Sequence, residues 1–427
     1  MITSSVAETC RAAKRAARTL AVLDSAAKDA ALEAIAVALQ TRGEEILAAN
    51  ERDMQLAREA GIGDALLDRL RLDEARIAAI ALAVRQVAAL ADPVGEVIEG
   101  RRLPNGLDLR KVRVPLGVVA VVYEARPNVT IDAAALCLKS GNAIVLRGSS
   151  SAIYSNAALA QLAADAAIAA GLPEGCVSLV AGGGHEELAE LATQSESVDL
   201  IIPRGGESLK EALQALATVP VIYAASGNCH VYVDAAADLD QAEAIAINAK
   251  TQRPGVCNAA ETLLIHERAA ADFVPRVLRA FSAAGVLVRA DERVRALAGG
   301  VDGRAPGQAP IEAAGEEDWT REYLAPIIAI GVVDSLQEAI EHIARYGSGH
   351  SEAIVTRDTA AARAFQLAVD AACVYVNAST RFTDGGEFGM GAEIGNSTQK
   401  LHARGPIGLR ELCTFKYLIE GDGHVRA

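Results

Sequence analysis

The chain has two different spacings of hydrophobic and polar residues. Between residues 4 and 91 the apolar residues recur every three or four positions, as shown by Leu32, Ile35, Ala36 and Leu39. This spacing predicts a series of amphipathic helices. Pro93 and Gly95 end the helical region, because neither residue continues a helix well. We expect these helices to form a layer that covers a sheet.

The next stretch, from Glu96 to Arg113, predicts a β-hairpin. Two alternating runs flank the turn residues Pro104, Asn105 and Gly106. The chain also ends in an alternating run, ELCTFKYLIEG. We expect the hairpin to leave the body of the protein as an arm, and the last strand to pair with the hairpin of a neighbouring subunit.

From Gly117 onward, short apolar strands alternate with helices. The strand-like runs are GVVAVVYEA, AIVLRG, CVSLVAG and VDLIIP. This alternation predicts a parallel, doubly wound sheet with right-handed crossovers. Ligands of such sheets bind at the carboxyl ends of the strands. The loops predicted at that edge are residues 124–128, 147–151, 182–185 and 203–206.

A second α/β unit begins near Gly227, and a Gly-, Ala- and Pro-rich loop is predicted at residues 299–315. The predicted fold class is therefore α/β, with more than one domain, as expected for 427 residues. We assign residues 1–95 and 115–226 to a nucleotide-binding domain and residues 227–405 to a catalytic domain. Residues 96–114 and 406–427 form the predicted oligomerisation arm.

Composition and charge narrow the class of protein. The formal net charge is −14 and no basic stripe is present, so a nucleic-acid partner is not expected. Seven cysteines without a C-x-x-C pair argue against a disulfide framework or a metal site, and favour a reducing cytoplasm. No apolar run reaches the roughly 18 residues expected of a membrane span. The first residues indicate an amphipathic helix rather than a transit peptide.

Basic and glycine-rich turns occur at three of the predicted strand ends. They contain Arg147 with Ser149, the turn that starts at Gly182, and Arg204 with Gly205 and Gly206. Helix N-termini that follow such turns favour anions. Each turn alone is better explained by an ordinary tight βα connection. Together they predict a nucleotide site, with Arg147 and Arg204 as candidates to bind a 2′-phosphate.

The stretch from Asn248 to Thr262 contains a candidate nucleophile. Cys257 follows a turn made by Pro254 and Gly255, between a predicted helix and a predicted strand. The thiolate is the reactive form, and positive charge from Lys250 or Arg253 would favour it. The alternative is a buried cysteine that packs as a small apolar residue.

Several of these segments together resemble the aldehyde dehydrogenase superfamily. The run GVVAVVYEARPNVTIDAAALCLKSGNAIVLRGSS resembles the core of its nucleotide domain, in which an Asn follows the first strand and a Lys ends the second. Here these residues are Asn128 and Arg147, so the second departs from the family. PRGGES resembles the turn below the nicotinamide, and residues 248–257 resemble the nucleophile loop. REYLAP resembles the element that places a glutamate, here Glu322, at the nicotinamide ribose.

One departure indicates the acyl acceptor. Aldehyde dehydrogenases that hydrolyse a thioester use a glutamate to activate water, whereas AASGNCHVYVD has Ala225 or Ser226 at that place. Without this general base, hydrolysis should be poor. The resemblance in the late segments EAIEHIARYGSGHSEAI and GAEIGNSTQKLHARGPIGLRELCTFKY implies a specific reaction. We expect NADPH-dependent reduction of L-glutamyl 5-phosphate to L-glutamate 5-semialdehyde, with release of phosphate, in proline synthesis.

The resemblance also implies roles for individual residues. Cys257 attacks the acyl phosphate, and the Asn128 side chain and the Cys257 N–H hold the oxyanion. Arg126 and Arg381 are candidate anchors for the substrate, with a surface ion pair as the equally weighted alternative for each. His342 and His350 belong to the resembling segment, but packed histidines explain them as well. We further expect a homo-oligomer, either a dimer or a tetramer, and a contact with glutamate 5-kinase.

Two alternative functions remain open. An acylating aldehyde dehydrogenase that uses coenzyme A would also lack the glutamate, and a coenzyme A assay separates it. A non-catalytic NADP-binding protein would bind the cofactor without turnover.

Overall fold

The structure is a computed structural model that describes residues 5–223, 227–298 and 311–426. The chain divides into two compact units. We call residues 1–223, 389–395 and 407–427 the amino-terminal unit, and residues 224–388 and 396–406 the central unit. The assignment of residues 1–95 and 115–226 to a nucleotide-binding domain and of residues 227–405 to a catalytic domain stays a prediction.

The amino-terminal unit begins with five helices, as the three- and four-residue spacing predicted. They are α1 (Val6–Leu20), α2 (Ser25–Thr41), α3 (Gly43–Glu59), α4 (Asp64–Leu70) and α5 (Glu74–Ala88). Ser5 and Glu8 form a capping box that fixes the start of α1. The apolar face of α2, which includes Leu32, Ile35 and Leu39, is fully buried. These helices therefore contribute to the core of this unit.

A parallel four-stranded sheet follows a β-hairpin in the same unit. The hairpin is β1 (Val97–Arg102) and β2 (Asp108–Pro115), and Gly106 has a φ of +91° in its turn, which favours glycine. The sheet has the order β5-β4-β3-β6. Its elements are β3 (Val118–Tyr123), α6 (Asn128–Lys139), β4 (Ala143–Gly148), α7 (Ile153–Ala169), β5 (Val177–Leu179), α8 (His185–Ala192), β6 (Leu200–Arg204) and α9 (Glu207–Leu216). The doubly wound pattern and the hairpin are confirmed.

The central unit contains a parallel seven-stranded sheet. Its order is β10-β9-β11-β8-β7-β12-β13. The elements are β7 (Cys229–Val233), α10 (Leu239–Thr251), β8 (Ala260–His266), α11 (Glu267–Ala283), β9 (Leu287–Ala290), α12 (Glu292–Leu297), β10 (Ile311–Ala313), β11 (Ile327–Val333), α13 (Leu336–Tyr346), β12 (Ser351–Val355), α14 (Thr359–Ala368) and β13 (Cys373–Val376). Apolar clusters cover both faces of this sheet, so its middle strands are buried throughout.

Two predictions about loops and the last strand need correction. Residues 299–310 of the predicted loop lie outside the described residues, but Ile311–Ala313 form the edge strand β10 rather than loop. The chain continues through β14 (Asn396–Ser397) and β15 (Gly405–Pro406) to β16 (Cys413–Glu420). We expected β16 to pair with a neighbouring subunit, but it pairs antiparallel with β2 of its own chain. Its alternating pattern could identify it as a strand but could not identify its partner.

Candidate active site

Cys257 lies in the turn between α10 and β8 of the central unit. All seven cysteines fall within the described residues, and Cys257 is the one that is half-buried rather than buried. The neighbouring Cys229 donates its Sγ–H to the carbonyl oxygen of Cys257 at 3.2 Å. Burial raises the pKa of the Cys229 thiol well above its ordinary value, so that thiol stays protonated. Of these thiols, Cys257 is therefore the best placed to meet a substrate.

Gly227 packs directly against the backbone of Cys257. A Cβ atom on Gly227 would lie 2.5 Å from the Cα and from the carbonyl carbon of Cys257, and closer still to its carbonyl oxygen. The N–H of Gly227 donates to Oε1 of Glu322 at 2.8 Å. The structure thus joins Glu322, the predicted ribose ligand, to the nucleophile turn. No sequence pattern indicated that Gly227 belongs to the site, because a contact with a residue thirty positions further along the chain has no periodic signal.

A buried ion pair lies between α10 and β8. The Lys250 ammonium bonds Oε2 of Glu261, and both side chains are fully buried. Desolvation lowers the pKa of Lys250 and raises that of Glu261 to about 7. The other Glu261 oxygen accepts from the N–H of Leu324 at 3.4 Å, where the backbone has a φ of +52°. We expected Lys250 to favour the Cys257 thiolate, but its charge pairs with Glu261.

Arg381 lies within the same unit, in the segment after β13. Its Nε donates to the side-chain oxygen of Gln252 at 2.8 Å, five positions before Cys257. Burial lowers the pKa of Arg381, and the positive charge of Arg253 lowers it further. This hydrogen bond thus connects the segment of Arg381, the predicted substrate anchor, with the segment of Cys257, the predicted nucleophile.

Three histidines of the central unit are shielded from solvent: His230 and His350 are buried, and His342 is half-buried. His230 Nδ1 lies 2.9 Å from Oε2 of Glu352, and the ring of His342 packs edge-on against the rings of His230 and Trp319. Burial lowers the pKa of His342 to about 3 and that of His350 to about 4. Both rings are therefore neutral near pH 7, which fits packed histidines better than proton donors.

In the amino-terminal unit, Asn128 is the first residue of α6. Its Nδ2 donates to Oδ2 of Asp132 at 2.8 Å, one helical turn further on. Burial raises the pKa of Asp132 to about 6, although the Asn128 bond and the charge of Arg204 oppose the shift. Arg126 is exposed in the turn before α6. Asp132 was not predicted, although the four-residue spacing on a helix could have indicated it.

Arg147, at the end of β4, contacts the turn predicted to bind a nucleotide. Its Nη2 donates to the carbonyl oxygens of Gly183 and Gly184 at 2.8 and 2.6 Å. Gly182 has a φ of +100°, and a Cβ there would meet the Glu187 carboxylate. Within the described part of the chain the buried Nε of Arg147 has no hydrogen-bond partner. Ser149 bonds Ser151 through their hydroxyl groups at 2.6 Å.

The turn at Arg204 already contains a carboxylate of the protein. The N–H of Gly206, which caps α9, donates to Oε2 of Glu124 at 3.0 Å. A Cβ on Gly205 would lie 2.7 Å from Cδ of the same carboxylate. We expected this helix N-terminus to be open to an anion, but Glu124 faces it. The predicted nucleotide edge therefore combines Arg147 and Arg204 with nearby acidic groups.

Among residues 5–223, 227–298 and 311–426, no group of three or more His, Cys, Asp or Glu side chains has the arrangement of a metal site. In the same ranges, each helix is too short or too polar to cross a bilayer.

Comparison with known proteins agrees with this architecture. A sequence model of the aldehyde dehydrogenase family matches residues 3–295 and 315–416. The chain belongs to the aldehyde dehydrogenase family, a class of oxidoreductases that use a nicotinamide cofactor. The resemblance and the fold class inferred from the sequence are confirmed.

The similar proteins within this family carry one name. The chain is 55% identical to the γ-glutamyl phosphate reductase of Thermobifida fusca and 56% identical to that of Moorella thermoacetica, each over 97% of both chains. It is also similar to the crystal structure of γ-glutamyl phosphate reductase from Thermotoga maritima. That structure has a TM-score of 0.95 and 45% identity, covering 99% of this chain and 100% of the other.

Proposed function

We propose that the protein reduces L-glutamyl 5-phosphate to L-glutamate 5-semialdehyde with release of phosphate, using NADPH. This is the second step of proline biosynthesis from glutamate. The observation that carries the proposal is the identity of 53–56% to γ-glutamyl phosphate reductases over nearly the whole chain. The half-buried Cys257 thiol supports it, because a thioester route needs a thiol that the substrate can reach.

The chemistry begins at Cys257. Its thiolate attacks the acyl carbon, the bond from that carbon to the phosphate oxygen breaks, and a thioester remains on the protein. Asn128 is the proposed side-chain donor to the oxyanion, together with the Cys257 N–H. An amide NH₂ has two protons, and Asp132 accepts one of them, so the other is available to the substrate. One such donor typically contributes about 3 kcal/mol.

The cofactor, when bound, supplies the hydride that reduces the thioester. Gly182 and Gly205 are proposed cofactor contacts, although the space that a Cβ atom would take at each is filled by a carboxylate of the protein, Glu187 or Glu124. The unpartnered Nε of Arg147 is a donor that a phosphate could satisfy. Ser149, Gly206 and Arg204 are further proposed contacts, and Glu322 is the proposed contact for the nicotinamide ribose.

We propose that the protein prefers NADPH to NADH. Arg147 and Arg204 would attract a 2′-phosphate, whereas Glu124 and Glu187 oppose it. Burial lowers the pKa of Arg147 and the two carboxylates raise it, so all three groups share one electrostatic environment. Comparing kcat/KM for the two cofactors in Arg147→Ala and in the unsubstituted protein tests this preference.

The identity of the acyl acceptor rests on the sequence alone. Ala225 and Ser226, which replace the water-activating glutamate, lie outside the described residues. We propose that phosphate is the acceptor in the reverse direction. The test supplies glutamate 5-semialdehyde, phosphate and NADP⁺, and follows the absorbance of the reduced cofactor, with Cys257→Ala as control.

The outcomes separate the candidates. Phosphate-dependent reduction that is lost in Cys257→Ala supports both the reaction and the nucleophile. Turnover without phosphate means that water is the acceptor, and dependence on coenzyme A identifies the acylating alternative. Zero turnover with intact NADPH binding identifies a non-catalytic protein.

The proposed partners need separate experiments. Light scattering of the purified chain tests the homo-oligomer. A binding assay with purified glutamate 5-kinase tests the kinase contact. The proposed substrate anchors, Arg126 and Arg381, are tested by the KM of the substrate in each alanine variant, and an unchanged KM rejects the assignment.

A further inference from the structure

Two segments of the central unit are joined at three points around the nucleophile. Arg381 Nε donates to Oε1 of Gln252 at 2.8 Å. Asn258 Nδ2 donates to the carbonyl oxygen of Thr383 at 2.8 Å, and Thr380 Oγ1 donates to the carbonyl oxygen of Asn258 at 2.7 Å. Asn258, Thr380 and Thr383 are buried, so these bonds are shielded from water. They hold residues 379–383 against the turn that contains Cys257.

This attachment brings two positive charges together. Arg253 is the chain neighbour of Gln252, which holds Arg381. The two guanidinium groups repel each other, and Arg381 is also attracted by Asp384 and by the charge of Cys257. Within the described ranges neither arginine forms an ion pair with a carboxylate. In a chain of net charge −14, these two neighbouring guanidinium groups form a locally basic position close to the nucleophile turn, to which an anion is attracted.

We infer that Arg253 and Arg381 together bind the phosphoryl group of the acyl phosphate. The inference rests on the proposed function and adds Arg253 to it. One oxygen atom joins the phosphoryl group to the carbon that Cys257 attacks, so this group must lie beside the thiol. A phosphoryl dianion matches two guanidinium groups, whereas a single carboxylate needs one.

The same pair assists the departure of phosphate. When the Cys257 sulfur bonds the acyl carbon, the electron pair of the broken carbon–oxygen bond stays on the phosphate oxygen. The guanidinium groups stabilise this added negative charge, and the departing phosphate takes up a proton from water. In the reverse direction the same groups bind inorganic phosphate before its oxygen attacks the thioester.

The test measures phosphate binding with and without turnover. Inorganic phosphate should slow the alkylation of Cys257 by iodoacetamide, because the bound anion lies beside the thiol. Arg253→Ala and Arg381→Ala should each raise the phosphate concentration for half-protection by at least about tenfold. Arg253→Lys should give an intermediate value, since it keeps the charge but loses the planar fork. Arg363→Ala, at an exposed position on α14, removes the same charge and should change nothing.

Steady-state kinetics of the reverse reaction provide the second measurement. In Arg253→Ala the KM for phosphate should rise about tenfold, and the KM for the semialdehyde less than about twofold. The opposite result would assign Arg253 to the substrate carboxylate and overturn the inference. Absence of protection by phosphate in the unsubstituted protein would also overturn it. If protection occurs and depends on Arg253 but no phosphate-dependent turnover is found, the proposed function fails while the anion site stands.

Discussion

The side chains of Asn128 and Asp132 form a hydrogen bond of 2.8 Å across the first turn of α6. Asp132 thereby fixes which way the Asn128 amide points, and it acts as a positioning residue for the proposed oxyanion donor. A hydrogen bond to a carboxylate is stronger than one to a neutral acceptor. We therefore expect Asp132→Ala to lower kcat by about tenfold with little change in KM. Asp132→Asn, which keeps one acceptor oxygen, should lose less.

The pH dependence of activity provides an independent measurement. Burial raises the pKa of Asp132 to about 6, so the carboxylate that orients Asn128 is lost as the pH falls through this value. Activity of the unsubstituted protein should include a decrease near pH 6 that is missing from Asp132→Asn. An identical pH profile in both proteins would show that Asp132 does not position Asn128.

Because of Asp132, a rise in pH should increase the activity of the protein and decrease its stability. The pKa of Asp132 is raised above 3.8, so the folded state holds a proton that the unfolded state has released between about pH 4 and 6. Relative to Asp132→Asn, the protein therefore loses stability as the pH rises through this window. Allowing for partial exposure, Asp132→Asn should be more stable by about 1–2 kcal/mol at pH 7 and by nothing at pH 4. Urea unfolding at both pH values measures this.

Gly227 is expected to tolerate no side chain. Its Cβ would lie 2.5 Å from the Cα of Cys257, so Gly227→Ala must displace the nucleophile turn. We expect a loss of about 1–3 kcal/mol in the free energy of unfolding and a large fall in the rate of Cys257 alkylation. Gly255→Ala is the matched control, because its Cβ meets only the carbonyl oxygen of Leu324, at 3.7 Å. Equal effects of the two substitutions would contradict this explanation.

The Lys250–Glu261 pair should show strong coupling. Both side chains are fully buried, so Lys250→Met leaves an unpaired carboxyl group and Glu261→Gln leaves an unpaired ammonium. Each single substitution should cost about 3–5 kcal/mol, and the double variant should recover much of that loss. Chemical unfolding of the four proteins measures the coupling. Additive losses would mean that the two groups do not depend on each other.

His350 should make the fold sensitive to acid, with a sign opposite to that of Asp132. Burial lowers its pKa from 6.5 to about 4. Between these two pH values the unfolded state therefore binds a proton that the folded state does not bind. The stability of the protein relative to His350→Asn should fall by about 2–3 kcal/mol between pH 6.5 and 4. Urea unfolding of both proteins at pH 6.5 and at pH 4 measures this, and an equal stability difference at the two pH values would contradict the prediction.

The sequence predicted helices, strands and turns well, but it did not predict which distant residues pair with a given charged group or strand. The period of apolar residues correctly predicted α1 to α5, the hairpin and the alternation of strands and helices, because these patterns are local. The turn that contains Cys257 was also predicted, since proline and glycine act on the backbone where they stand. Whether a charged group is available depends instead on distant residues. We expected Lys250 to act on the Cys257 thiolate and the helix N-terminus at Gly206 to be open to an anion. Instead, Lys250 pairs with Glu261, and the Gly206 N–H donates to Glu124.

The contact between Glu124 and Gly206 could have been predicted from the order of the strands. Glu124 follows β3 directly, and parallel neighbours bring the end of β3 beside that of β6, where Gly206 lies. The pairing of β16 with β2 had no such signal, because each strand alternates in the same way and many registers would satisfy the pattern.

The pairing of β2 with β16 determines the order in which the chain can complete its folding. The amino-terminal unit includes residues 389–395 and 407–427, so the central unit is an insertion within it. During synthesis, which proceeds from the amino terminus, all seven strands of the central sheet are available before β16 exists. The hairpin must therefore keep an unpaired edge at β2 until about 300 further residues have been made. Nascent chains that stop before residue 413 should expose this edge and be the form most prone to strand-mediated aggregation.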